Sequence, residues 1–254
     1  MTSFALGPIP GVRLARVNPV AQLLAILLVS IVLLVSLDIV TPVVVVAAEL
    51  ALFPAAGLVR PGAVIRRTWP VVTGALSVGL VNVLLGEHTT PLEGIALALR
   101  VVGVALPGVL LVAATDPVRL ADALTLHWRV PTRFAYGALA ALRLAPLLVA
   151  EFESIRLARR TRGVEAGRNP VAAARLLAGI SFALLVAAVR RGTRLATAMD
   201  ARGFDSGVPR SNARGSHLHR RDAWFVAGTV AVCAVAVTLS VVTGAWDPVF
   251  AGNT

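Results

Sequence analysis

The chain has 254 residues, of which 57% are hydrophobic and 15% charged, with a formal net charge of +11. Soluble domains average about 45–50% apolar and roughly 25% charged residues, so this balance excludes a disordered or fibrous protein and argues against a water-soluble globule. A mean hydropathy of +0.82 means more apolar side chains than one aqueous core can hide, which makes the bilayer part of the solvent.

All 24 basic residues are Arg. With no Lys there is no Walker-type ATP site, no Schiff base and no Ser-Lys dyad, because each needs an amine. Cys233 is the only cysteine and sits in an apolar run, so it reads as packing and rules out a disulfide framework or a cysteine zinc cluster. Met1 to Pro19 carries no cleavage pattern close to the first apolar run, and that run is expected to remain as an anchor.

Taken in chain order, Val20–Leu37 and Thr68–Gly86 are charge-free runs of spanning length, as is Ala223–Trp246 with Trp224 and Trp246 at its ends. Ile39–Val59 and Gly94–Thr115 also reach that length but contain Glu49 and Arg100. Five spans are therefore expected. Continuous rather than alternating apolarity favours helices over a barrel, and lipid demands backbone hydrogen bonds closed within each segment.

The arginines set the orientation. Arg13 and Arg16 precede the first span, Arg60, Arg66 and Arg67 follow the second, and 18 lie between Asp116 and Asp222 against eight acidic residues. The segments around Asp38, from Glu87 to Glu93 and after Asp247 contain none. By the positive-inside rule the N-terminus is cytoplasmic and the C-terminus outside. The expected organisation is a four-span membrane domain over 1–115, a basic cytoplasm-facing region over 116–222, and a last span with an outside tail over 223–254.

Inside the basic region, Phe134–Ala150 and Val171–Val189 are apolar stretches interrupted by Arg143 and Arg175, each leading into a basic helical stretch. They read as long helices tilted along the cytoplasmic leaflet with snorkelling arginines, two further spans being the alternative. Both stretches end alike. Thr161-Arg162-Gly163 closes a stripe of Leu148, Phe152 and Ile155, and Ala201-Arg202-Gly203 closes a stripe of Leu195, Ala198 and Met199. Gly after the last turn is a common left-handed stop, and Arg there complements the helix dipole. As a pair, the two endings suit insertion into two equivalent acidic grooves, since a guanidinium binds a carboxylate bidentately.

From Thr115 to Phe204 the sequence resembles the transmembrane T component of energy-coupling factor transporters, the CbiQ-like family. The resemblance rests on Asp116-Pro117, Pro131, Ala141-Leu142-Arg143-Leu144-Ala145-Pro146, Glu151 and the two Arg-Gly endings. The first ending has Thr161 where the family usually has Ala. The resemblance implies an all-α polytopic membrane protein, the coupling subunit of an importer for a vitamin or a transition-metal ion. It implies docking to two ABC-type ATPases through Arg162 and Arg202, with Gly163 and Gly203 as stops and Ala201 in the second motif. Arg143, Pro146, Glu151 and Arg159 would support the coupling helices. A separate substrate-binding membrane subunit would pack on them, with Leu144, Leu148, Leu177, Phe182 and Leu185 as contacts. This chain would hold no cofactor, ATP being bound by the partners.

The other charged residues read more plainly. Glu49 and Arg100 are single intramembrane charges without a proton ladder and are expected to make interhelical polar contacts. His217 and His219 lack further metal ligands and read as a solvated loop. Arg210, Arg214, Arg220 and Arg221 form an anionic-lipid contact beside the last span. Nucleic-acid binding is not expected of a membrane-bound basic stretch with so few aromatics. Two rivals are a membrane enzyme clamping a phosphorylated lipid, for which no acid/base cluster lies near the arginines, and a stand-alone secondary transporter, which would show polar or broken mid-membrane helices.

Overall fold

A computed structural model describes residues 13–52, 61–86, 90–167, 169–204 and 215–248. Within them, a short 3-10 turn at Arg13–Arg16 precedes eight α-helices: α1 (Pro19–Val35), α2 (Val40–Leu52), α3 (Pro61–Leu85), α4 (Pro91–Ala114), α5 (Pro117–His127), α6 (Thr132–Thr161), α7 (Pro170–Ala201) and α8 (Arg220–Val242). The protein is an all-α polytopic membrane protein, as its composition predicts.

Local chemistry explains several boundaries. Pro opens α1, α4 and α7 at a position where its missing N–H costs nothing. Asn18, Thr90 and Asn169 precede those prolines and cap the helices through their side chains.

The chain divides into two units, one within 13–123 and 215–248, the other within 124–204. In the first, α1, α2, α4 and α8 pack on one another, and α3 lies against α4. Val29, Leu33, Val45, Cys233 and Ala236 form the core, with Cys233 buried as its apolar neighbours predict. α3 and α4 approach at glycines: a Cβ on Gly79 would stand 2.5 Å from the Gly94 carbonyl oxygen.

Both ends of this bundle are tied by polar side chains. At one end Asp38 accepts from the Thr41 N–H and the Ser240 hydroxyl, each at 2.7 Å. Arg100 donates there to the carbonyls of Ser36 and Asp38, and the Leu37 N–H donates to the Asp247 carbonyl at 2.8 Å. At the other end the N-termini of α1 and α8 share one carboxylate, since Asp222 accepts from the Asn18 N–H at 2.8 Å and the His219 N–H at 2.7 Å. Two helix ends of partial positive charge thus meet one buried anion.

Four described segments are long and apolar enough to cross a membrane: Ile65–Leu85, Pro91–Ala114, Pro170–Ala201 and Arg220–Val242. Three of the five expected spans are among these, in α3, α4 and α8, and the other two coincide with the shorter apolar helices α1 and α2. α1 has 17 residues, about 26 Å of helix against a hydrocarbon core of about 30 Å, and α2 is described from Val40 to Leu52. The break between them falls at Asp38, as the two apolar runs place it, and the Asp38 carboxylate accepts from the Thr41 N–H of α2; residues 53–60 lie outside the described segments. α7, expected along the leaflet, is itself of spanning length and composition, whereas α6 is not in that class.

Glu49 also departs from expectation. Arg100 makes the interhelical contact foreseen for it, but both carboxyl oxygens of Glu49 are shielded from solvent with no hydrogen-bond partner among the described residues.

Candidate functional site

The unit within 124–204 is built on α6 and α7, which pack together. Their pairing is antiparallel over its whole length. Near the end of α6, Arg159 donates to the Leu176 carbonyl of α7 at 3.3 Å. Midway, Arg191 pairs with Glu151 at 2.8 Å. Near the start of α6, Tyr136 meets Phe204 edge-on at 6.3 Å between ring centres. The face that α6 turns toward α7 includes Leu144, Leu148, Phe152, Ile155 and Arg159, all half-buried.

Arg159 fits where α7 has no side chain: a Cβ on Gly179 would stand 2.8 Å from its guanidinium. Pro146 removes one donor from the middle of α6 and leaves the Leu142 carbonyl without its helical partner.

The two Arg-Gly endings are copies of one geometry. Arg162 and Arg202 each cap a helix at φ −89°, ψ 9°. Gly163 and Gly203 follow at φ +74° and +73°, the left-handed region that an L side chain enters only at a cost. The hydrogen bonds also match. The Gly163 and Val164 N–H groups donate to the Arg160 and Arg159 carbonyls at 3.0 Å. The Gly203 and Phe204 N–H groups donate to Asp200 and Met199 at 2.9 and 3.1 Å. Each is a Schellman stop, which satisfies last-turn carbonyls and halts the helix at a fixed residue. Thr161 in place of Ala leaves the first unchanged, because its hydroxyl folds back onto the Ala158 carbonyl at 3.0 Å.

Arg162, Arg202 and Ala201 are exposed. Because the hairpin is antiparallel, the two tips lie at its opposite ends, about 45–50 Å apart by helix rise. A further ion pair, Arg160 to Glu165 at 2.8 Å, closes the connection after the first tip.

The remaining expected site residues scatter by exposure. Arg143 and Pro146 are exposed and lie on neither tip, while Glu151 and Arg159 are the ones that bind α7. Leu177, Phe182 and Leu185 are exposed on α7, in contrast to the half-buried Leu144 and Leu148. The expected apolar contact surface therefore divides between the hairpin seam and its outer face. Of the basic cluster before α8, Arg210 and Arg214 fall outside the described residues, and Arg220 and Arg221 are exposed at the start of that helix.

Two features went unread in the sequence. Gly179 looked like one small residue among many in an apolar helix, and only its position opposite Arg159 distinguishes it. The polar network around Asn18 was signalled by the Asn18-Pro19 cap alone, since its partners lie about 200 positions away. Among the described residues no group of three His, Cys, Asp or Glu side chains is placed to hold a metal.

A family model described as CbiQ, cobalt transport protein, matches residues 12–212. The energy-coupling factor transporter transmembrane protein EcfT of Lacticaseibacillus paracasei is 34% identical over 149 residues, 56% of this chain and 56% of that protein. Its counterpart in Staphylococcus aureus is 29% identical over 139 residues, 52% of each chain. That of Exiguobacterium sibiricum is 34% identical over 131 residues, 48% of this chain and 50% of the relative. The chain thus spans about half the length of the curated relatives it matches. An all-α bundle of membrane-length helices, a paired hairpin with two matched Arg-Gly stops, and a family match running through both make this chain an EcfT-like multi-pass membrane protein of the CbiQ family.

Proposed function

We propose that this chain is the energy-coupling membrane subunit of an ABC-type importer for a vitamin or a transition-metal ion. In this reading Arg162 and Arg202 dock into grooves of two cytoplasmic ATPases, and a separate substrate-binding membrane subunit packs on the exposed apolar face of α7. The observation that carries it is the identity of the two tips: same backbone angles, same glycine stop, both arginines exposed, at opposite ends of one hairpin. One chain so built offers the same plug twice, at a spacing suited to two motor subunits rather than one.

Docking of both tips requires that they lie on the same side of the membrane, so the α6–α7 hairpin lies along the cytoplasmic leaflet although α7 alone has spanning length. The charges on α6 support this. It carries seven, and Arg143, Glu151 and Glu153 fall near its middle, where a crossing would hold them at bilayer depth at about 2.5–3.5 kcal/mol each. Laid flat, the hairpin keeps Arg143 and Glu153 toward water, leaves Glu151 paired with Arg191 in its seam, and turns Leu177, Phe182 and Leu185 toward lipid or the partner subunit. The same reading puts the N-terminus in the cytoplasm, the C-terminus outside, and Arg220 and Arg221 against anionic headgroups.

When the ATPases bind ATP and close, their grooves carry the tips along, and the hairpin transmits the displacement as a stiff lever tied by Arg159 and by the Glu151–Arg191 pair. ATP stays with the partners. This chain supplies shape and leverage.

The test is Arg162→Glu with Arg202→Glu. Loss of a buried interfacial charge pair costs about 2–5 kcal/mol, so reversing both should weaken docking by at least about a thousandfold. ATPase subunits should no longer co-purify, while the variant inserts into membranes at wild-type level. ATPase recovery equal to wild type would refute the proposal.

A further inference from the structure

The first turn of α1 is hydrogen-bonded beyond what a helix cap needs. Asn18 already caps α1 by accepting from the Val20 N–H at 3.0 Å. Its side-chain amide also donates to Ser216 Oγ at 2.9 Å and to the His217 carbonyl at 3.3 Å, and its backbone N–H donates to Asp222 Oδ1 at 2.8 Å. One turn on, Gln22 donates to the carbonyls of Leu14 and Val17 at 2.9 and 3.1 Å and accepts from Thr115 Oγ1 at 3.2 Å. Arg119 reaches the Ala15 carbonyl at 2.6 Å. Asn18, Gln22, Thr115 and Asp222 are all between 2% and 6% exposed.

Chain connectivity gives this network its meaning. The polypeptide leaves the bundle unit through 115–123, builds the hairpin unit, and returns at 215–222. Both connections are bonded to the same short stretch, residues 14–22: the outgoing one by Thr115 and Arg119, the returning one by Ser216, His217 and Asp222. All of these bonds lie within the bundle unit.

Stability alone does not call for such an arrangement, because replacing buried polar pairs by apolar ones of the same shape is often neutral. What a directional network adds is register: a shift of either connection strains its hydrogen bonds to the first turn of α1. α1 in turn packs on α2, α4 and α8. We infer that Asn18, Gln22, Thr115 and Asp222 are positioning residues, a clamp through which displacement of both hairpin connections is delivered to α1. The inference rests on the proposed ATPase docking.

The experiment needs no knowledge of the cargo. The full chain is purified with its co-purifying ATPases, and amide hydrogen exchange is measured with and without a non-hydrolysable ATP analogue. In wild type the analogue should change exchange at the first tip, 162–167, and at the amides of Asn18, Val20 and Gln22, the latter by about fivefold, the effect of one buried hydrogen bond. In Thr115→Val with Ser216→Ala the tip should respond as in wild type while the α1 response falls below about twofold. Thr115→Ser, which keeps the hydroxyl, should restore it.

A full α1 response in the double variant overturns the inference. So does loss of the tip and α1 responses together with thermal stability, since that marks a purely structural role. If wild type recovers no ATPase, or its tip ignores nucleotide, the docking proposal fails and the clamp fails with it, at a stage distinguishable from failure of the clamp alone.

Discussion

Replacement of Gly79 by Ala should split α3 from α4, and the geometry sets the cost. The new Cβ would lie 2.5 Å from the Gly94 carbonyl oxygen and 3.1 Å from the Ala98 Cβ. Relaxed C···O contacts lie at about 3.3–3.6 Å, so the helices must separate locally by about 0.8–1 Å. A gap of that width forfeits a quarter to a half of the dispersion attraction along the seam, and overpacking of this kind costs about 1–3 kcal/mol. The obstacle is backbone, which cannot swing aside as a flexible side chain would.

Gly74 on the same helix provides the control. A Cβ there meets nothing within 4 Å, so Gly74→Ala should be neutral or stabilising by up to about 1 kcal/mol through helix propensity. The assay is unfolding in mixed micelles by increasing sodium dodecyl sulfate, followed by helical circular dichroism, with both variants beside wild type. Gly79→Ala at or above wild-type stability would refute the close-approach argument. Equal destabilisation at both glycines would refute it too, because position would then not matter.

Two further expectations address other parts of the chain. Gly203→Ala places an L side chain at φ +73°, which costs about 1–2 kcal/mol; it should fray the end of α7 and weaken ATPase co-purification about tenfold, while Gly192→Ala, with open space around it, should do neither. Arg100→Met removes the donor to the Ser36 and Asp38 carbonyls and should lower stability in the same micelle titration by about 1.5–3 kcal/mol, the worth of charge-assisted hydrogen bonds.

Those features that depend on neighbouring residues were legible in the sequence. The apolar runs that begin at Val20, Gly94 and Val171 are local signals of this kind, and α1, α4 and α7 start within three residues of them. The Arg-Gly stops are equally local, and Arg162 and Arg202 end their helices at the residues expected. What escaped was set by distance along the chain. The break at Asp38 was legible, but not that Ser240, some 200 residues on, helps hold its carboxylate. Charge density suggested that α6 and α7 behave alike, but α7 keeps residues 176–189 free of charge whereas Arg143 and Glu151 interrupt the middle of α6. Half the expected leucine surface is seam because helical period alone does not say which face an antiparallel neighbour occupies.

The shared carboxylate of Asp222 has a consequence for biosynthesis. Asn18 and Asp222 are separated by 204 positions, so at about 5–20 residues per second the ribosome needs roughly 10–40 s between exposing one and supplying the other. Through that interval the first helix waits in the membrane without its partner anion, and Asp38 waits equally for Ser240. Synthesis therefore completes α6 and α7 before α8 appears, and the last helix to emerge is the one that locks the first.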